Sequence, residues 1–348
     1  MQKFASQIIS FKSKLNAVDI DAISSDLLVK NYLQKVIEQQ DYYLKIYSWV
    51  LENALEQTTK PIHQISFLDY GCGNGLFAIY AKHCGLKKVY GCDFNSDFVD
   101  AARLLANAMN IIVDDWFVCN EETLFTECNS LNLDIVAGTD VIEHIYSLKK
   151  FFSNIQLLNQ KMITAFTTAS VFENYFKRKS LYKLMYQDEC LGSNALEATS
   201  KDEFAGMAYF EIRKRIIANA FPKLEQLIIE SLSTATRGLR GDGIITYVNQ
   251  YLLDGIIKPV QHNKYNTCDP ITGNFTERMM QLKEYKQLYS QFNFELNISS
   301  GFYAADGKGL KFFLQAILNK IITVIGNGFT SRSITPLILL TGTPYKKS

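Results

Sequence analysis

An apolar run ends in Asp69, and glycines then stand at alternate positions, Gly71, Gly73 and Gly75, before a helix-like segment opens at Leu76. Glycine tolerates a left-handed backbone and has no Cβ to hold a ligand off the main chain. The stretch therefore reads as a buried strand, an open-backbone turn and a helix presenting its N-terminus to a ligand. The candidate cradle is the whole loop, Gly71, Cys72, Gly73, Asn74 and Gly75, with Asp69 beneath it. A second acid, Asp93, closes the next strand-like run 24 positions later. That is near the roughly 20-residue interval at which an acid in Rossmann-like sheets meets a ribose. A dinucleotide fingerprint would need glycine at position 76, where Leu76 stands.

The run Asp-x-Gly-x-Gly-x-Gly from Asp69 to Gly75 resembles motif I of the class I S-adenosylmethionine (SAM) dependent methyltransferases. The resemblance implies a Rossmann-like seven-stranded α/β sheet that binds SAM at the loop. Asp93 would hold the ribose hydroxyls and Phe94 would pack near the adenine. Asp69 would hold loop amides or the methionine ammonium. Asn120 and Glu121 occupy the place where the superfamily commonly has an acid on the adenine amino group, and the amide oxygen of Asn120 can accept the same bond. Glu143-His144 resembles the pair after strand four in the ubiquinone-biosynthesis O-methyltransferases and their relatives. On that resemblance His144 is the candidate base for a substrate hydroxyl. Asp140, Glu143 and His144 together resemble a divalent-ion site of some of those enzymes, and a metal is a secondary expectation. His63, His83 and His262 have no partner pattern.

Farther along, Arg237 and Arg240 lie among glycines, where guanidinium forks can clamp a carboxylate or phosphate as readily as they can line a polar turn. Aromatic residues between Phe172 and Phe210 suit a ring or a lipid tail, though aromatics at such spacing are more often core. The run from Asp269 to Arg278 reads as a turn entering a helix.

The elements that must position these groups follow from periodicity. Residues 1–60 read as an N-terminal helical segment, with an apolar helical stripe between Tyr32 and Leu55. Residues 61–169 alternate strand and helix, the pattern of a parallel sheet with crossover helices, and form the SAM-binding core. Expected strands are Ile65–Leu68, Lys88–Cys92, Trp116–Cys119, Leu133–Ala137 and Met162–Phe166, with Ser96 capping the second helix. Residues 170–288 break the pattern and read as a large insertion after strand five, a lid or substrate cap. Residues 289–348 supply the last strands, Phe294–Ser299 and Ile334–Leu340, around the apolar helix Leu310–Ile325. That helix is expected to pack on the sheet, with a membrane-surface role as the alternative.

Composition narrows the class. The 348 residues carry a formal net charge of +1, which disfavours a general nucleic-acid binder. Seven scattered cysteines without a Cys-x-x-Cys pair read as buried free thiols, and with no signal-peptide-like start or spanning run the chain reads as cytoplasmic. The function expected is SAM-dependent O-methylation of a small molecule, either a quinol- or phenol-like ring or a sugar of a surface glycan. An NAD-dependent oxidoreductase and a non-catalytic SAM-binding scaffold remain open.

Overall fold

Strand β1 (Ser66–Tyr70) is buried at every position, as expected of a parallel strand covered by helices on both faces. Three helices precede it in the computed structural model, which describes residues 3–193, 203–261, 265–305 and 307–345. They are α1 (Ala5–Leu15), α2 (Leu27–Glu38) and α3 (Gln40–Glu56), and Gln39 divides the single stripe expected from Tyr32 onward. Asp26 caps α2 by accepting the Val29 amide at 3.0 Å.

After β1 come α4 (Leu76–His83), β2 (Lys88–Asp93), α5 (Ser96–Ala108), β3 (Asp115–Val118), α6 (Leu124–Cys128), β4 (Ile135–Thr139), α7 (Leu148–Leu158) and β5 (Ile163–Thr168). Asn95, not Ser96, caps α5: its side-chain oxygen accepts the Asp97 amide at 2.9 Å. Helices α8 (Tyr175–Tyr186), α9 (Tyr209–Ala220), α10 (Gln226–Ala235) and α11 (Gly241–Asp254) follow, and the chain then closes with α12 (Leu282–Gln291), β6 (Phe294–Ser300), α13 (Leu310–Ile325), α14 (Phe329–Ile334) and β7 (Ile338–Pro344).

The seven strands form one sheet in the order β3-β2-β1-β4-β5-β7-β6. Strands β1 to β5 run parallel, and β7 pairs antiparallel with both β5 and β6. The expected seven-stranded Rossmann-like α/β sheet is present. Asp69 lies opposite Gly91 on β2 and Ala137 on β4, so Asp69, Asp93 and Thr139 all reach the carboxyl edge, where open α/β sheets bind ligands.

Two sequence expectations change here. The last strand starts at Ile338, because Ile334 ends α14 and Pro336, which has no amide to donate, separates the two elements. The run from Asp269 to Arg278 does not enter a helix. Asp269 closes a turn onto the Ile271 amide at 2.8 Å, and Cys268 bridges Phe275 in a short antiparallel pairing.

The chain divides into two compact units. The first comprises Met1–Ile142, Ser147–Asn174 and Gln281–Ser348, and the second Glu143–Tyr146 and Tyr175–Met280. The first unit holds the sheet and the main apolar core. In the second, Ile217, Ile229, Leu232, Ile244 and Val248 form a separate apolar cluster between α9, α10 and α11. All seven cysteines are free, six of them buried and Cys190 exposed.

Candidate functional site

The loop between β1 and α4 has the geometry its glycines suggest. Gly71, Gly73 and Gly75 all have positive φ, at 70°, 51° and 77°. At Gly75, which caps α4, an added Cβ would stand 2.5 Å from Trp116 and 2.7 Å from Ala102, so a side chain is excluded by space as well as by backbone. The loop is tied down twice: the Gly75 amide donates to the Cys72 carbonyl at 2.8 Å, and the Cys72 amide to the Cys92 carbonyl at 2.9 Å.

Asp93 is buried at the end of β2 and clasps the loop directly. One oxygen accepts the Gly73 amide at 2.9 Å and the other accepts the Asn95 amide at 3.0 Å. Burial pushes its carboxyl up from the ordinary range, and these amides pull it back. The Phe94 amide adds a third bond, and a carboxylate with about four acceptor positions still has room for a further donor, such as a ribose hydroxyl.

Asp69 sits under the loop with 1% exposure and accepts the Ala78 amide, in the first turn of α4, at 3.0 Å. It thus holds the helix rather than the glycine amides. Burial raises its carboxyl to about 8, opposed by the Ala78 amide and reinforced by the charge of Asp93. The native state therefore keeps a proton that the unfolded chain releases above its ordinary value of 3.8. This contribution to stability is complete below about pH 4 and is lost as pH rises through about 8. Asp69→Asn, which keeps an acceptor for the Ala78 amide, is expected to flatten that decline in thermal melts recorded across the range. A wild-type profile identical to the variant's would contradict the buried, protonated acid.

The N-terminal helices approach the same loop. Asn74 donates to the Val29 carbonyl of α2 at 3.1 Å, and its own side-chain oxygen is buried without a partner among the described residues. Tyr32 of α2 lies over Gly73, where an added Cβ would meet its ring at 3.2 Å. A cavity lined by Tyr32, Tyr47, Asp69, Gly71, Asn74 and Thr139 opens at this point. The hydroxyls of Tyr32, Tyr42 and Tyr43 are all pushed up, first by burial and further by neighbouring charge that for each includes Asp140. Asp140 itself has φ +52°, an uncommon conformation for a side-chain-bearing residue, just beyond β4. These tyrosines escape sequence reasoning because on a helical stripe they look like core. Only the fold brings them to a carboxylate.

Other candidates are placed differently from expectation. The side-chain oxygen of Asn120 accepts the Glu122 and Thr123 amides at 2.9 and 3.2 Å, so it is committed to a local turn. Glu121 is buried and turns inward to accept the Ser147 amide at 3.1 Å, which makes it a brace for the start of α7. Phe94 is exposed beside Asp93. His83 pairs with Ser10 at 2.8 Å, and His262 lies outside the described residues.

In the second unit, His144 is held on both sides by the turn at 269–276. Its ring Nδ1 lies 2.7 Å from the Phe275 carbonyl, and its own carbonyl accepts the Phe275 amide at 3.1 Å. A carbonyl only accepts, so Nδ1 carries the proton, and in the neutral ring Nε2 carries the lone pair. Buried Glu143 is fixed through its main chain, its carbonyl accepting the Arg278 amide at 3.0 Å. Asp140 belongs to the first unit, and among the described residues no group of three or more His, Cys, Asp or Glu is placed to hold a metal.

The two arginines of the glycine-rich run have protein partners. Arg237 donates from Nε to Glu189 at 3.1 Å, while Arg240 pairs with Asp242 at 3.2 Å and lies over the Tyr146 ring at 4.9 Å. Glu189 also binds fully buried Arg213 and accepts the Thr267 hydroxyl at 2.7 Å. Among the aromatic residues of α8, Tyr175, Phe176 and Tyr186 are exposed rather than core.

Residues 68–159 match the family model described as a methyltransferase domain. The ribosomal protein L11 methyltransferase of Paraburkholderia phytofirmans is 51% identical over 49 residues, which is 14% of this chain and 16% of that protein. The chain thus spans about a sixth of the length of the curated relatives it matches. Among solved structures, the magnesium protoporphyrin IX methyltransferase of Synechocystis PCC 6803 with bound S-adenosylhomocysteine (SAH) aligns at TM-score 0.38 and 10% identity, over 90% of this chain and 87% of that one. The YcgJ protein of Bacillus subtilis aligns at TM-score 0.38 and 12% identity, over 86% of this chain and 98% of that one. The residues that match the methyltransferase-domain model, 68–159, hold the whole glycine loop and both strand-end acids, Asp69 and Asp93.

Proposed function

We propose that this protein transfers the methyl group of SAM to a hydroxyl oxygen of a small molecule. The observation that carries the reading is the fixed proton of His144: with Nδ1–H on the Phe275 carbonyl, the neutral ring offers Nε2 to take a proton, as an oxygen acceptor requires. The cofactor site fits the cation that SAM carries. Asp69 and Asp93 are buried acids, the loop admits no Cβ at Gly75, and the buried oxygen of Asn74 awaits a donor.

Bound SAM supplies an activated methyl on a sulfonium, already a good leaving group. The protein's part is to align the acceptor and exclude water. Asp93 would hold the ribose, the loop would pass beneath the methionine arm, and an ammonium brought beside Asp69 would favour loss of the proton that burial keeps on its carboxyl. SAM would supply the methyl group and take the leaving electron pair on its sulfur, and His144, through Nε2, would accept the proton given up by the acceptor hydroxyl. Residues 175–280 would recognise the acceptor.

Labelled-methyl SAM incubated with an extract, followed by separation into extractable small molecules and polypeptide, tests the reading. Label is expected among the small molecules. Label confined to polypeptide would replace it with protein methylation, in keeping with the short L11 methyltransferase match. Stabilisation in a thermal shift by NAD but not by SAM or SAH would remove the methyltransferase reading altogether. His144→Ala is expected to lower kcat about 10²-fold or more while leaving SAM affinity unchanged, the usual weight of a positioned base. Equal turnover would leave His144 an architectural residue.

A further inference from the structure

Helix α13 carries its polar and apolar faces the reverse way from a helix packed on a sheet. Ile322 is its sole buried residue among those described. Leu310, Phe313, Leu314, Ile317, Ile321 and Val324 are all exposed, Phe313 by 64% and Val324 by 86%. Their spacing places them on one helical stripe. The opposite side is anchored by amide chemistry: the Asn319 side chain accepts the Tyr303 amide at 2.7 Å and donates to the Tyr303 carbonyl at 3.0 Å. Phe329, which opens α14, is 70% exposed as well. The expectation that this helix packs its apolar residues on the sheet is therefore overturned, since the stripe faces outward and Ile322 alone is buried among the described residues of the helix.

Charge identifies what covers the stripe. From Gly307 to Ser348 the sequence has no Asp or Glu, yet it has Lys308, Lys311, Lys320, Arg332, Lys346 and Lys347, in a chain whose formal net charge is only +1. Lys311 and Lys320 on α13 are exposed. A second copy docked on this face would bring two cationic segments together with no acid between them. An anionic lipid surface answers both features, because acyl chains take the apolar stripe and headgroups take the lysines. At 16 residues the helix is shorter than the roughly 20 needed to span a bilayer, and among the described residues no helix is long and apolar enough to cross one.

We propose that α13 is an interfacial anchor that lies in the plane of an anionic bilayer and seats this protein on it. The proposal is independent of the acceptor and of the methyl-transfer reading. The test is co-sedimentation of the full chain with vesicles of phosphatidylcholine alone or mixed with phosphatidylglycerol. Binding to the mixed vesicles is expected, weakened by added salt. It should fall by about tenfold or more in the double variant Phe313→Asp, Val324→Asp, whose sites are exposed and whose melting temperature should be unchanged. Phe313→Trp should show emission that shifts to the blue with mixed vesicles and is quenched by brominated acyl chains. Absence of sedimentation with mixed vesicles, or equal sedimentation of the double variant, would overturn the proposal. A dimer in analytical ultracentrifugation that the double variant converts to monomer would assign the face to a second copy instead.

Discussion

Asp93→Ala is expected to weaken SAM binding by at least tenfold, about 1.4 kcal/mol or more, with the structure now giving two reasons. The variant loses the acceptor for the ribose, and it releases the Gly73 amide, which Asp93 holds at 2.9 Å. The loop would then be looser as well as short of a contact. Asp93→Asn separates these effects. Its amide oxygen can keep one backbone bond, so the loop should retain most of its order while the charged acceptor is lost. Calorimetry of SAM and SAH on both variants checks the ranking, with the alanine variant expected to be weaker. Unchanged affinity in both would remove Asp93 from the cofactor site.

Glu189→Ala carries the largest expected loss of stability. Glu189 is 3% exposed and takes bonds from Arg213, Arg237 and Thr267. Arg213 is completely buried, and its other bond goes from Nε to the Ser233 carbonyl at 2.8 Å. Removing the carboxylate strands a buried guanidinium, a loss of about 3–5 kcal/mol when one partner of a buried pair is deleted. Both tryptophans, Trp49 and Trp116, lie in the first unit, so the readout is amide hydrogen exchange along α9 and α10. Exchange there is expected to accelerate strongly, with β1 and β4 little affected. Unchanged protection in α9 would mean that Arg213 finds another partner.

The sequence carried most of the first unit because its signals are local. A buried strand ending in Asp69, a glycine turn and a helix at Leu76 are set by residue type and by period. Helices α7 and α13 fall where periodicity puts them. The side of α13 that faces outward was not legible, since a helical stripe identifies residues that share a face but not what lies against it. Asn120 was read as a ligand for adenine, yet an amide at a strand end can equally close a turn, and the Glu122 and Thr123 amides were nearer. The same distance problem hid Tyr32 and Tyr43: sequence places them on helices, and only tertiary folding sets their hydroxyls near Asp140. The arginines of the glycine-rich run were recognisable as anion binders, and folding supplies one of the anions as Glu189, 48 positions before Arg237.

The four residues Glu143–Tyr146 fall between β4 and α7 in the chain but group with Tyr175–Met280. Anyone grafting acceptor preference from one such enzyme to another would have to move this tetrapeptide along with the distant helices. An exchange of 175–280 alone would set the recipient's His144 against the donor's turn in place of its own Phe275 carbonyl, and the orientation of its ring would depend on whether the two turns match.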